Sequence, residues 1–304
     1  MRQRTIRQKA SIEGVGLHSG QRVCLTVLPA PADSGIVFKV VGQGRAIPAA
    51  PESVVDSRNA TTIGHDGSRV QTIEHVMAAA AGLGIDNLEV HIDGAETPAA
   101  DGSAKPFANL LLSAGRKDLS ARRRPIAIPH PIRVGSDGRW IQIVPSSRFR
   151  ISYTLDNDHH AIGTQVLSYE PSERTFVEEI APARTYGFLK DLGVLRKNGL
   201  ARGVSLDNAV ALGKEGPLNP LRYRDEFVRH KILDLIGDLA LLGRPVIGHV
   251  IARNAGHALN FELVVAIQRA LGLERRPAGA VLRAVTAAAR VRELDIARPG
   301  LAAI

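Results

Sequence analysis

In the segment EFVRHKILDLIGD, His230 and Asp234 lie four positions apart. A helix places residues at that spacing on one face, and Asp238, four further on, extends the same stripe. A neutral imidazole and a carboxylate are two of the three protein ligands that a catalytic zinc needs. The pattern is common, and Glu226, Arg229, Lys231, Asp234 and Asp238 read equally well as a solvated face of mixed charge. It becomes specific only with its neighbours. In TIEHVMAA, Glu74 directly precedes His75. Adjacent residues on a helix diverge by roughly 100°, so the two take different roles. His75 is the best third ligand, and Glu74 reaches past it to the water. A metal lowers the pKa of its water to about 7, and a carboxylate accepts the proton as attack begins. A solvated Glu74 is the plainer alternative. His257 opens GHALNFE and is the candidate general acid. A helix N-terminus disfavours imidazolium, whereas a general acid starts protonated. That role therefore requires a carboxylate at His257, and Asp238 is the obvious one. The alternative is a helix-start histidine with no function.

Two similar halves are expected to position these residues. In the first, QRVCLTVLP (21–29) and GIVFKVV (35–41) alternate as strands do, QTIEHVMAAAAGLG (71–84) reads as a helix stopped by Gly82 and Gly84, NLEVHI (87–92) is a strand, and DGSAKPFANLLLSAG (101–115) is a helix with Ser103 as its cap and Gly115 as its stop. In the second, strands are expected at 139–145 and 148–155, a strand-and-loop region at 183–203, a strongly amphipathic helix at 224–243, a strand at 245–252 and a closing helix at 256–272. Phe227, Ile232, Leu235, Ile236 and Leu239 give the 224–243 helix its apolar face. Both halves end helix, strand, helix, which suggests a duplication with its boundary near 116–126, in the basic stretch RKDLSARRRP. His75 and His230 then sit on matching helices and can face each other across the interface, where sites commonly form.

Composition bounds the rest. The 304 residues favour two domains. Apolar residues make up 44% and aromatics only 4%, so Val, Ile, Leu and Ala must build the cores. No apolar run approaches a membrane span, and the basic N-terminus lacks the apolar region of a signal peptide. The single cysteine, Cys24, rules out an internal disulfide and a multi-cysteine zinc site, and a cytoplasmic location is expected. The net charge of +9 is either that of an ordinary solvated surface or suits a phosphorylated small molecule, an anionic membrane surface or nucleic acid. Nucleic acid is the weakest of these, because no array of aromatic and basic residues offers a stacking platform.

Taken in order, GVGLHSG, TIEHVMAA, GIDNLEV, DGSAKPF, ARTYGF, DEFVRHKILDLIGDL and GHALN resemble the UDP-3-O-acyl-N-acetylglucosamine deacetylases, zinc enzymes of lipid A synthesis. The resemblance runs from about residue 3 to 272. It implies an α+β fold of two similar domains, 1–118 and 126–275, each a β-sheet packed with a pair of helices. They form a β-α-α-β sandwich with the site at the domain interface, followed by a tail at 276–304. It further implies His75, His230 and Asp234 as zinc ligands, Glu74 as base, His257 as acid and Asp238 as the partner of that acid. Lys231 and Thr185 would stabilise charge and bind substrate. Tyr186, Phe188 and Leu200 would also contact substrate. An apolar insert near 188–203, with Phe188, Leu189, Leu192, Val194, Leu195 and Leu200, would pass the acyl chain; an amphipathic excursion packed on its own domain is the alternative. The implied partner is the acylated UDP-sugar; the basic surface, apart from the resemblance, also fits peripheral contact with the anionic inner membrane. Neither nucleic acid nor an obligate protein partner is implied. Tyr186 stands where phenylalanine is usual and His160 where proline is usual, which leaves loop shape and fine substrate contacts open. His18 lies in a family motif but has no role that the residues alone supply, and His65, His91, His130, His159 and His249 have no evident partners.

Overall fold

The computed structural model describes residues 1–43 and 45–273. The expected tail at 276–304 lies outside the described residues.

Two five-stranded sheets repeat one topology. The first runs, edge to edge, Ala10–Val15, Arg22–Pro29, Leu88–Ile92, Ile36–Val40 and Ile47–Pro48. The second runs Ile132–Ser136, Arg139–Val144, His249–Arg253, Arg150–Asp156 and Thr164–Tyr169. In each, the central strand pairs antiparallel with its second-place neighbour and parallel with its fourth-place one. In each, chain order places one helix just before the central strand and another just after it: Glu74–Gly82 and Lys105–Ser113 in the first half, Glu226–Leu239 and His257–Ala270 in the second. Strands such as Arg150–Asp156 alternate buried and half-exposed residues, as expected when one face meets helices and the other meets water. Helices 74–82 and 226–239 pack on each other between the sheets. One apolar cluster, including Phe38, Phe107, Tyr153 and Phe227, is continuous across both halves. Each such fully buried side chain contributes roughly 1.5–3 kcal/mol.

Several local expectations change. The helix continues through Gly82, where a Cβ would lie 2.3 Å from the Phe176 ring. That glycine serves close packing, and Gly84, at φ +65°, makes the stop. Ser103 precedes the helix boundary residue, Ala104, and its hydroxyl accepts the Lys105 N–H at 3.2 Å. The basic stretch between the halves is not a free linker. Arg116–Arg122 pairs with Arg2–Ile6, and Arg123 donates to Asp86 at 2.9 Å. Within the expected strand-and-loop region, Leu189–Lys197 is a helix. The edge strands Ala10–Val15, Ile132–Ser136 and Thr164–Tyr169 come in addition to those expected. Among the described residues no helix is long and apolar enough to cross a membrane.

Candidate metal centre and active site

Helix 226–239 is buried around nearly its whole circumference; only Arg229 and Lys231 are not. The mixed-charge surface reading therefore fails: Glu226, Asp234 and Asp238 are all buried carboxylates. Glu226 is tied by a buried pair to Arg184, with contacts of 2.8 and 3.1 Å, and also accepts the backbone N–H groups of Arg184 and Arg222. Burial opposes its ionisation, yet the Arg184 hydrogen bonds hold it below the usual carboxylate range. This pair fixes the chain at 182–185 against the helix. There the Ala183 carbonyl lies 3.1 Å from His230 Nδ1. The tautomer follows: Nδ1–H donates to that carbonyl, which leaves the Nε2 lone pair free.

That lone pair faces Asp234 Oδ1 at 3.3 Å, and His75 Nε2 lies 3.8 Å from the same oxygen. Asp234 Oδ1 is buried with no hydrogen-bond partner. Its other oxygen accepts from Lys231 Nζ at 3.1 Å. Burial opposes the Asp234 charge, but the cationic Lys231 and His257 hold its pKa well below normal. Burial pushes His75 down to about 3 and also lowers His230. The result is two neutral imidazoles and a carboxylate, with an orphaned acceptor aimed at a second acceptor. Such an arrangement is costly unless a cation lies between them. One ligand atom from each of His75, His230 and Asp234 falls within 4.8 Å of the others. Ligand bonds of about 2.0–2.2 Å arranged tetrahedrally bring such atoms together at about 3.3 Å, so the residues fit a metal ion.

Glu74 and His257 complete the constellation. A single residue, Thr61, holds a carboxylate on each side of it. Its N–H donates to Glu74 Oε2 at 3.0 Å, and its hydroxyl donates to Asp238 Oδ1 at 2.5 Å. The other Asp238 oxygen meets His257 Nδ1 at 2.8 Å and accepts from Asn260 at 2.9 Å. The Asp238–His257 contact that the acid role requires is thus present. Burial opposes the charged form of His257, but Asp238, Asp234 and Glu74 together raise it to about 10. Burial pushes Glu74 up to about 7; the His257 charge pulls against this, and Asp238 and Asp234 add to it. His257 Nε2 and Glu74 Oε1 face each other at 3.9 Å. The helices can approach this closely because of Gly237, where a Cβ would lie 2.1 Å from the Glu74 carbonyl oxygen.

A cavity of about 20 Å³ is lined by Glu74, His75, Thr185, Tyr186, His230, Lys231, Asp234 and His257, with Leu17, His18, Asn59 and Thr72. A cavity of about 10–15 Å³ already holds a water. Thr185 reaches the cavity because its N–H donates to the Gly102 carbonyl of the first half at 2.8 Å. His18 joins the wall through Glu96, which accepts the N–H groups of His18 and Ser19 at 2.7 Å each. Phe188 and Leu200 do not line this cavity. Phe188 is buried in the core beside His159. Leu200 lines an adjoining cavity of about 430 Å³ that shares Asn59 and is otherwise mainly polar. Of the expected acyl-passage residues, Leu195 is buried, Leu192 is half-buried, and Leu189 and Val194 face solvent. Thr61, Arg184, Glu226 and Gly237 went unread in the sequence as site residues. The one local cue was a glycine inside an otherwise strong helix pattern.

Two imidazoles and a carboxylate with an orphaned oxygen, with a second carboxylate and an imidazolium across the cavity, are a set of groups that suits a metal-dependent hydrolase. The comparisons with known proteins narrow that class. The family model described as LpxC, UDP-3-O-acyl N-acetylglycosamine deacetylase, matches residues 3–269, and the chain belongs to this family. Relatives named UDP-3-O-acyl-N-acetylglucosamine deacetylase include one from Myxococcus xanthus, 51% identical over 266 residues, which cover 86% of this chain and 85% of the relative. Another, from Syntrophotalea carbinolica, is 48% identical over 266 residues, 86% of each chain. A third, from Anaeromyxobacter dehalogenans, is 46% identical over 264 residues, again 86% of each chain.

Proposed function

We propose that His75, His230 and Asp234 hold a zinc ion and that Glu74 and His257 act as base and acid around it. As a member of its family, the chain is an amide hydrolase of lipid A biosynthesis that removes the N-acetyl group of UDP-3-O-acyl-N-acetylglucosamine and releases acetate. Two nitrogen ligands, one oxygen ligand and an open fourth position are the donor set that catalytic zinc favours. Zinc bound there supplies a Lewis acid beside the acetamide carbonyl.

The protein's own groups do the rest. Glu74, fixed through Oε2 by the Thr61 N–H, takes a proton on Oε1 as the attacking water oxygen bonds to the acetyl carbon. The Lys231 ammonium and the Thr185 hydroxyl face the cavity and stabilise the negative charge that develops on the carbonyl oxygen. The charged His257, held through Nδ1 by Asp238, gives its Nε2 proton to the departing nitrogen as the C–N bond breaks. Acetate and a free glucosamine amine result. Tyr186 packs edge-on against Phe227, with ring centroids 4.8 Å apart, and forms one wall behind the substrate.

The observation that carries this reading is the partnerless Asp234 Oδ1 facing His230 Nε2. Purified parent protein is expected to carry about one equivalent of zinc. His230→Ala should lose the metal and lower acetate release by about a thousandfold or more, in keeping with loss of a metal that supplies several kcal/mol. Metal-free parent protein, or a His230→Ala variant that still releases acetate at the parent rate, overturns the assignment.

A further inference from the structure

The region expected to handle the acyl chain also presents an apolar outer surface. Among the described residues nine large hydrophobic side chains are exposed, and four of them, Leu189 (43%), Val194 (54%), Leu206 (51%) and Leu218 (56%), fall within residues 189–218. Leu189 and Leu218 are neighbours in space, and Leu206 is tied by its backbone next to Leu218. A Cβ at Gly213 would lie 3.3 Å from Leu218 and 3.9 Å from Leu189. The Leu206 carbonyl accepts from Asn219, the residue after Leu218, at 2.8 Å. On helix 189–197, Leu189, Lys190, Gly193, Val194, Arg196 and Lys197 are the exposed residues. At about 100° per residue they share one arc of roughly 160°. Asp191, the helix's acid, is half-buried outside that arc.

Helix stability does not account for this placement. Arg196 and Lys197 suit a helix C-terminus, but Lys190 lies in the first turn, where the dipole disfavours a cation. A protein partner fits poorly as well, since the buried centres of protein interfaces are depleted of lysine. Leucine and valine interleaved with lysine and arginine suit a surface with negative charge outside and hydrocarbon just beneath. The other end of the same segment reaches the active cavity. The Arg202 and Gly203 N–H groups donate to the His18 and Leu17 carbonyls at 3.1 and 3.0 Å, and both partners line that cavity.

We propose that the outer face of helix 189–197, with Leu206 and Leu218, docks the protein on an anionic lipid surface. Substrate bearing an acyl chain can then enter from that side, a step that rests on the deacetylase reading. Co-sedimentation of the full chain with vesicles tests the docking directly. Vesicles of phosphatidylcholine with phosphatidylglycerol should bind it in a salt-sensitive manner, and vesicles of phosphatidylcholine alone should not. Lys190→Glu with Arg196→Glu and Lys197→Glu should weaken binding by about a hundredfold. Arg2→Glu with Lys117→Glu and Arg122→Glu makes the same charge change on a different ribbon and should cost far less. Leu206→Ser with Leu218→Ser should weaken binding severalfold while acetate release from a soluble short-acyl UDP-sugar stays at the parent level. Failure of the parent to bind anionic vesicles, equal loss in the two charge-reversed triples, or undiminished binding by the leucine double variant overturns the proposal. Acetate release by the parent in the absence of vesicles tests the deacetylase reading separately.

Discussion

Helix 74–82 of the first half and helix 226–239 of the second occupy the same place in the same strand order, yet they carry different loads. The first presents its chemistry in one turn, with Glu74 and His75 adjacent. The second spreads His230, Lys231, Asp234 and Asp238 over nine residues of one helix. Two buried histidines sharpen the contrast. His75, beside neutral His230, is pushed down to about 3 by burial, while His257, against Asp238 and near two more carboxylates, is raised to about 10. Burial penalises both charged forms alike, so the neighbours decide. Matching halves can thus hold one buried histidine neutral and another charged, because more carboxylates gather around His257 than around His75.

The largest effect that would break this contrast comes from the groups meant to act without holding metal. Glu74→Gln and His257→Gln, made singly, should each keep zinc and lower turnover by about 10²–10⁴-fold. Metal analysis alongside acetate release checks this. If either variant loses its metal, the division between ligands and proton-transfer groups is wrong.

The next effect tests whether Asp238 sets the state of His257. The acid must be protonated, so activity falls as pH rises through the His257 pKa. The base must be ionised, so activity rises with pH through the Glu74 pKa. Values of about 7 for Glu74 and about 10 for His257 give a bell-shaped profile, and a bound cation shifts both limbs toward acid. Asp238→Asn keeps the size and shape of the side chain and removes the largest influence that raises His257. The alkaline limb should move to lower pH and turnover at neutral pH should drop by about tenfold or more. An alkaline limb that stays in place would assign it to some other group.

The clustering of His75, His230 and Asp234 was legible because helical spacing puts His230 and Asp234 on one face and the repeated helix–strand–helix order brings His75 opposite. The central strands and all four principal helices were legible from their apolar runs, although the strand expected at 245–252 divides into Val246–Ile247, which pairs with Ile126–Ala127, and the central strand His249–Arg253. The edge strands were not. Thr164–Tyr169, for example, turns Val166 outward at 66% exposure, which blurs the alternation. Nor were the contacts that hold the site in place. Thr61 meets Asp238 across 177 positions and Arg184 meets Glu226 across 42, and no local pattern encodes either. The orientation of the acyl-region residues was not legible for a related reason. Helical spacing shows which of Leu189, Val194 and Leu195 share a face, but not whether that face turns to the site or to solvent.

The smallest effect on chemistry, and the most local, tests how the two halves are joined. A glycine in a helix interior costs about 1 kcal/mol relative to alanine, so Gly237 should be a weak point of helix 226–239. It is retained where the backbone of Glu74 passes: a Cβ there would lie 2.1 Å from the Glu74 carbonyl oxygen and 3.1 Å from its Cα. The obstacle is backbone on a packed helix, which cannot swing aside as a flexible side chain does. Gly237→Ala should therefore destabilise the protein by about 1–3 kcal/mol, overriding the gain in helix propensity, and lower its melting temperature. The forced separation moves Glu74 and the adjacent His75 away from His230 and Asp234, so acetate release should fall severalfold and zinc should be held less tightly. A Gly237→Ala protein that melts at or above the parent temperature would show that the helices are not in contact at this point.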